Sequence, residues 1–229
     1  YGVYHLRYLP DSDATQRVGV MLSKDGYSGS LGFEGLPIAD DWVVDGTLTV
    51  EDWVHPYYGL GNTTAIDQKV DIETQEMAGS LSLRRFVSEH QSVSVSLLTM
   101  SRKEHVSENE SIQYFSDQRL TGFGIGYVFD TRDARVNSES GYMVNPRITR
   151  IGVYTKFDFD MRYFYPLGDA TIAWRVLAGR VVGANVPFIL RYRLSTSTVL
   201  RGATQDRYNG ESLVSFQTEY RRHLWNKLA

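Results

Sequence analysis

The chain has 229 residues with a net charge of −3, and carries 15 Tyr, 10 Phe, 4 Trp and 20 Gly against 6 Pro and no Cys. No apolar run approaches the 18 or so residues that a membrane helix needs, so a helical membrane protein is excluded. The near-neutral charge leaves no broad basic field, which sets nucleic acid aside as a partner.

Period-two alternation of apolar and polar residues runs through almost the whole chain, with no competing helical period. It predicts strands near 2–9, 15–23, 28–36, 42–54, 67–86, 91–103, 119–130, 141–152, 155–166, 169–183 and 211–224, eleven in all. Within 67–86 the apolar parity switches between Val70/Ile72 and Leu81/Leu83. A bulge or a turn at Ala78-Gly79 would produce that switch, and a turn would raise the count to twelve. The connections at 10–15, 23–28 and 166–169 are short, while 104–118 and 184–210 are long and polar. Short turns on one side and long loops on the other are the pattern of outer-membrane barrels.

The stretch 156–166, KFDFDMRYFYP, poses the main question. Phe157, Phe159, Met161, Tyr163 and Tyr165 share one strand face, and Lys156, Asp158, Asp160 and Arg162 share the other. A soluble sandwich or lipocalin-like barrel would turn the aromatic face to a core, whereas a membrane barrel turns it to lipid. Strands of about ten residues or more can cross a bilayer at a tilt, and so many aromatics exceed what one sandwich core holds. The expected fold is therefore an all-β, transmembrane antiparallel β-barrel over 1–229. Trp174 and Phe216 should face lipid with the aromatics of 157–163, and Arg175, Gln217 and Glu219 should face the lumen.

Four stretches carry a family resemblance. Thr198-Val199-Leu200-Arg201-Gly202-Ala203, followed by Asp206 to Gly210 and then Glu219-Tyr220-Arg221, resembles the signature of the outer-membrane assembly superfamily that includes BamA, TamA and the two-partner secretion transporters. Tyr127 to Asp133 with Ser140-Gly141 is similar to that family's Tyr-Asp-Thr-Arg-Asp turn, and Pro56 to Asn62 to an aromatic-Gly-Leu-Gly-Asn turn of its barrel-only members. Val182-Gly183 through Val186-Pro187-Phe188 leads into the long loop as in the family.

The resemblance implies that loop 184–210 folds into the lumen with Leu200, Arg201 and Gly202 at its tip. Arg201 would be latched to the inward acid Glu219, with Arg221 beside it. Ala203 departs from the family's aromatic, which bears on packing of the tip and not on the ion pair. Asp130, Arg132, Asp133 and Gly141 would shape a periplasmic turn. The family barrel has about four further strands, so either missing C-terminal strands or another copy of the chain would complete this one. With neither signal peptide nor periplasmic repeats visible, the chain reads as a barrel-only or trimmed member.

The implied location is an outer membrane of a Gram-negative type bacterium, or of an organelle of bacterial origin. The implied partners are its lipid and unfolded polypeptide clients, and the implied function is insertion or translocation of polypeptides. A passive pore or structural barrel, and a membrane anchor for an exported enzyme such as a patatin-type lipase, are the alternatives. His5, His55, His90, His105 and His223 are scattered without metal-site spacing, and no G-x-S-x-G elbow occurs. No catalytic residue, metal or cofactor is expected. Gly122, Gly124 and Gly126 lie on the inward face of a strand with no helix after them, so they read as room for a loop packed on the wall and not as a nucleotide loop.

Overall fold

The computed structural model describes residues 2–8, 14–61, 69–106, 117–194 and 208–222. Ten strands follow in sequence: β1 (Gly2–Tyr8), β2 (Thr15–Ser23), β3 (Gly26–Ala39), β4 (Trp42–Tyr57), β5 (Val70–Ser88), β6 (Gln91–Val106), β7 (Gln118–Asp130), β8 (Gly141–Ile151), β9 (Tyr154–Leu167) and β10 (Ala170–Val182). After a 3-10 turn at Phe188–Leu190 come the short strands β11 (Tyr192–Leu194) and β12 (Tyr208–Gly210), which pair with each other, and then β13 (Ser212–Arg222). One antiparallel sheet of 11 strands runs β1 to β10 in order and ends on β13. Among the described residues β1 and β13 have no second partner, so the sheet is open between them.

The alternation sets the two faces as expected. Phe123 (62%), Phe157 (44%) and Phe216 (66%) stay exposed on the outside. Trp174 stands opposite Tyr163, with the rings stacked at 5.5 Å. The inner face is polar: Asp160 lies between Arg162 and Arg175, 2.8 Å from each. A soluble core would bury the aromatic face; here it is the face left bare over strands long enough to span a bilayer.

β5 is a single strand. Its pairings with β4 and β6 pass through Ala78 and Gly79 without a register shift, so the turn that would have made twelve strands is absent. The parity switch has another cause. Met77 and Leu81 face outward in the apolar band, but farther toward the long loops the outward positions are Gln75, Glu73 and Asp71. There the inward Ile72 is fully buried against Tyr57 and Phe188, so the greasy face swaps sides where the strand leaves the membrane band.

The connections also differ from the expected division. The hairpin at 24–25 lies at the same end of the sheet as the 58–69 and 107–117 connections, as does the turn at 152–153. The opposite end carries the turns at 40–41, 89–90, 131–140 and 168–169. The inward glycines of β7 lie against neighbouring strands of the wall. A Cβ on Gly124 would lie 2.7 Å from the Ser96 hydroxyl, and one on Gly126 2.8 Å from that of Ser94. A Cβ on Gly122 would lie 2.5 Å from the Arg150 carbonyl oxygen of β8, so among the described residues the nearest neighbours of these three glycines belong to the adjacent strands and not to a loop. The buried apolar residues gather inside the loop end, where Val186 and Leu190 pack on Ile151 and Val181 of the wall.

Candidate functional site

Of the charged groups that line the lumen, two networks gather at its ends. At the turn end, Asp130 accepts hydrogen bonds from the Arg132 backbone N–H (3.1 Å), Nε (2.8 Å) and Nη2 (2.7 Å), closing the turn on itself. Asp133 accepts from the Glu139 N–H at 3.1 Å. Desolvation would raise the Asp133 carboxyl, yet the backbone N–H groups of Glu139, Ser140 and Ala134 and the Ser140 hydroxyl outweigh it and hold the group below the ordinary aspartate range. Gly141 has φ +92°, and a Cβ there would sit 2.3 Å from the Thr131 carbonyl oxygen, so only glycine closes this turn without strain.

The same network reaches β13. Arg221 lies 3.0 Å from Glu219, places its guanidinium 5.6 Å from the Phe164 ring and donates at 3.5 Å to the Ser138 carbonyl. Two separate sequence motifs, the 130–141 turn and Glu219-x-Arg221, thus meet on one patch of wall. Leu200, Arg201 and Gly202 lie outside the described residues. Glu219 faces the lumen as its parity requires, 3.0 Å from Arg221.

The loop end holds a second network that sequence reasoning did not assign. β4, β5 and β6 extend past the apolar band and form a wall on which the segment 186–194 rests. Phe188, 2% exposed, is the centre of the contact. Its ring meets Tyr57 edge to face at 5.5 Å and carries Arg102 at 5.4 Å and Arg193 at 5.5 Å.

Arg102 is itself 1% exposed. Nη1 reaches Glu76 at 3.0 Å and Nη2 reaches the Thr74 hydroxyl at 3.2 Å, while Nε lies 2.6 Å from Glu104 in a charge contact bent outside hydrogen-bond geometry. Below it Glu51 and the buried His55 approach to 2.6 Å. A guanidinium withdrawn from water needs such carboxylates, and its flat face left over the Phe188 ring adds a cation–π contact.

The segment is further secured at its ends. Arg191 donates from Nε to the Val186 carbonyl at 3.0 Å, and the Tyr192 hydroxyl donates to Asp158 at 2.7 Å. Lys156 sits 4.4 Å from the Tyr192 ring. The Gly59 and Gly61 positive-φ turn places the Gly61 N–H 2.9 Å from the Asn209 carbonyl, pinning β12 to the end of β4. Of the Pro56 to Asn62 motif, the described part through Gly61 therefore supports the returning limb of the loop. The signal for this network was present as the inward parity of Arg102, Glu104 and Ile72, but nothing local distinguishes these from ordinary strand-end charges.

A model of the Omp85 superfamily domain matches residues 15–227. The chain belongs to the Omp85 superfamily. It is a barrel of this outer-membrane assembly and translocation superfamily, all-β and antiparallel. A crystal structure of BamA from Haemophilus ducreyi lacking POTRA domains 1–3 is similar in fold, with a TM-score of 0.62 at 14% identity over 90% of this chain and 42% of that one. The Omp85 chain described here thus spans less than half of the length of that chain. No curated protein matches it.

Proposed function

We propose that this Omp85 chain forms the membrane barrel through which polypeptides are inserted into, or moved across, an outer membrane, with the long loop as a plug that must be held and released. The observation that carries the reading is the segment 186–194 docked inside the barrel on a charged wall, with Phe188 under Arg102 and Arg193. A structural barrel has no need of a plug with so specific a mount. A conduit that must stay sealed between clients does. The second hold is the tip of the same loop, where Arg201 would pair with Glu219 as the family resemblance implies. In this reading the chain performs no catalysis of its own and uses neither nucleotide nor metal; its partners are outer-membrane lipid and unfolded polypeptides.

The test is client folding. Vesicles carrying the protein are mixed with a urea-unfolded outer-membrane barrel polypeptide, and the protease-resistant folded fraction is followed against empty vesicles. Acceleration over empty vesicles supports the reading. No acceleration over empty vesicles overturns it in favour of a passive pore or an anchor barrel.

A further inference from the structure

Most lumen arginines have carboxylates beside them, Arg17 with Glu34, Arg84 with Asp45, Arg102 with Glu76, and Arg162 and Arg175 with Asp160, Arg147 being the exception among the described residues. The outer face follows a different rule. On β6 to β10 the outward register positions toward the loop end carry Lys103, Arg119, Arg150 and Arg180, all exposed. None of these four makes an ion pair among the described residues. Arg150 donates only to the Thr155 hydroxyl, at 2.9 Å, and Asp117, just before β7, pairs with none of them. No Asp or Glu of β6 to β10 or β13 faces outward.

Arg150 and Arg180 stand at the loop-side border of the apolar band, and Lys103 and Arg119 lie farther toward the loops. Arg150 is opposite Phe123, and Arg180 is opposite Phe157. The other end of the same strands has a different border, made of the stacked pairs Phe129–Tyr142 (5.4 Å) and Tyr163–Trp174 (5.5 Å). The cations do not ring the barrel either, since the outward positions at the loop end of β4 and β5 are Asp52, Asp71 and Glu73. Uniform snorkelling of long side chains would mark the whole circumference. A patch on one flank, at one leaflet, with no internal counter-charge requires the counter-charge to come from outside.

We propose that Lys103, Arg119, Arg150 and Arg180 form a binding site for the phosphate groups of an anionic lipid in the leaflet on the long-loop side. The guanidinium fork accepts two phosphate oxygens at once, and the acyl chains of the same lipid lie on Phe123, Ile125 and Phe157 below. Binding there would hold β7 to β10, the strands that also carry Ile151 and Val181 beneath the docked loop, against one class of lipid.

The chain has no cysteine, so a single label is unambiguous. Thr155→Cys, outward on β9 beside Arg150, is tagged with a fluorophore, and the protein is placed in phosphatidylcholine vesicles containing an equal fraction of either brominated phosphatidylglycerol or brominated phosphatidylcholine. With each cation near the surface favouring an anionic lipid by roughly fivefold, quenching by the brominated phosphatidylglycerol should exceed that by the brominated phosphatidylcholine several-fold. The ratio should fall toward one in Arg150→Gln/Arg180→Gln and at high salt, and should not change with added inorganic phosphate. A tag at Tyr220→Cys, on the outward turn end of β13, should show a ratio near one throughout. A ratio near one at Thr155→Cys, or one unaffected by the two substitutions, overturns the site. An equal preference at Tyr220→Cys shows general attraction to the barrel and overturns it as well.

Discussion

Replacing Phe188 by Ala should release the loop segment from the wall. The side chain is 2% exposed, so truncation removes its full apolar burial and leaves a cavity, a change that costs about 3–5 kcal/mol in well-packed sites. Within that figure the edge-to-face contact with Tyr57 accounts for about 1 kcal/mol and the flanking guanidinium groups for about 0.5–1 kcal/mol each. At about 1.4 kcal/mol per decade, the undocked population should rise roughly a hundredfold or more. The assay uses Val186→Cys, a position with 0% exposure in the docked segment. Its labelling by a water-soluble thiol reagent follows the open population when reclosing is fast. Phe188→Leu keeps most of the apolar volume and loses only the ring contacts, so it should fall between wild type and Phe188→Ala. If Val186→Cys labels within about threefold of the wild-type rate in the Phe188→Ala background, Phe188 does not hold the segment and the mount has been misidentified.

Three further outcomes are expected. Arg201→Ala and Glu219→Gln should each lower thermal stability, with the double variant costing less than their sum; additive effects would show that Arg201 and Glu219 are not partners. Gly141→Ala should cost about 1–3 kcal/mol, because its φ is +92° and Thr131 blocks the new methyl, whereas Gly168→Ala, with open space around it, should cost less. Asp133, held below the ordinary aspartate value, favours the folded turn at pH above that value and loses this contribution as pH falls through its native pKa. The stability gap between wild type and Asp133→Asn should therefore be present at neutral pH and vanish in acid; a gap that persists in acid would mean that charge is not the cause.

The strand pattern was legible because lipid and lumen impose opposite polarities on alternate residues over the whole span, and 157–163 shows this without help from any neighbour. Where that rule stops, legibility stops with it. β5 was ambiguous because Ile72 lies beyond the membrane band, where the inner face packs on a loop and the outer face meets water. The turn at 130–141 was readable from local chemistry, since Asp130, Asp133 and Gly141 satisfy groups within ten or so residues of themselves. The wall that binds Phe188 was not, because Tyr57, Ile72 and Arg102 come from three distant stretches and become neighbours only when the sheet curls around the returning loop. The outer cation patch was hidden for the same reason: Lys103, Arg119, Arg150 and Arg180 are unremarkable singly, and only the register puts them on one flank.

The most direct test of a plugged conduit is single-channel conductance in planar bilayers, comparing wild type with the Phe188→Ala/Arg102→Met variant. The wild-type protein should remain closed for most of the record, with brief openings, and the variant should show long open dwells at a larger conductance. A wild-type protein that conducts steadily, with the variant indistinguishable from it, would contradict the account.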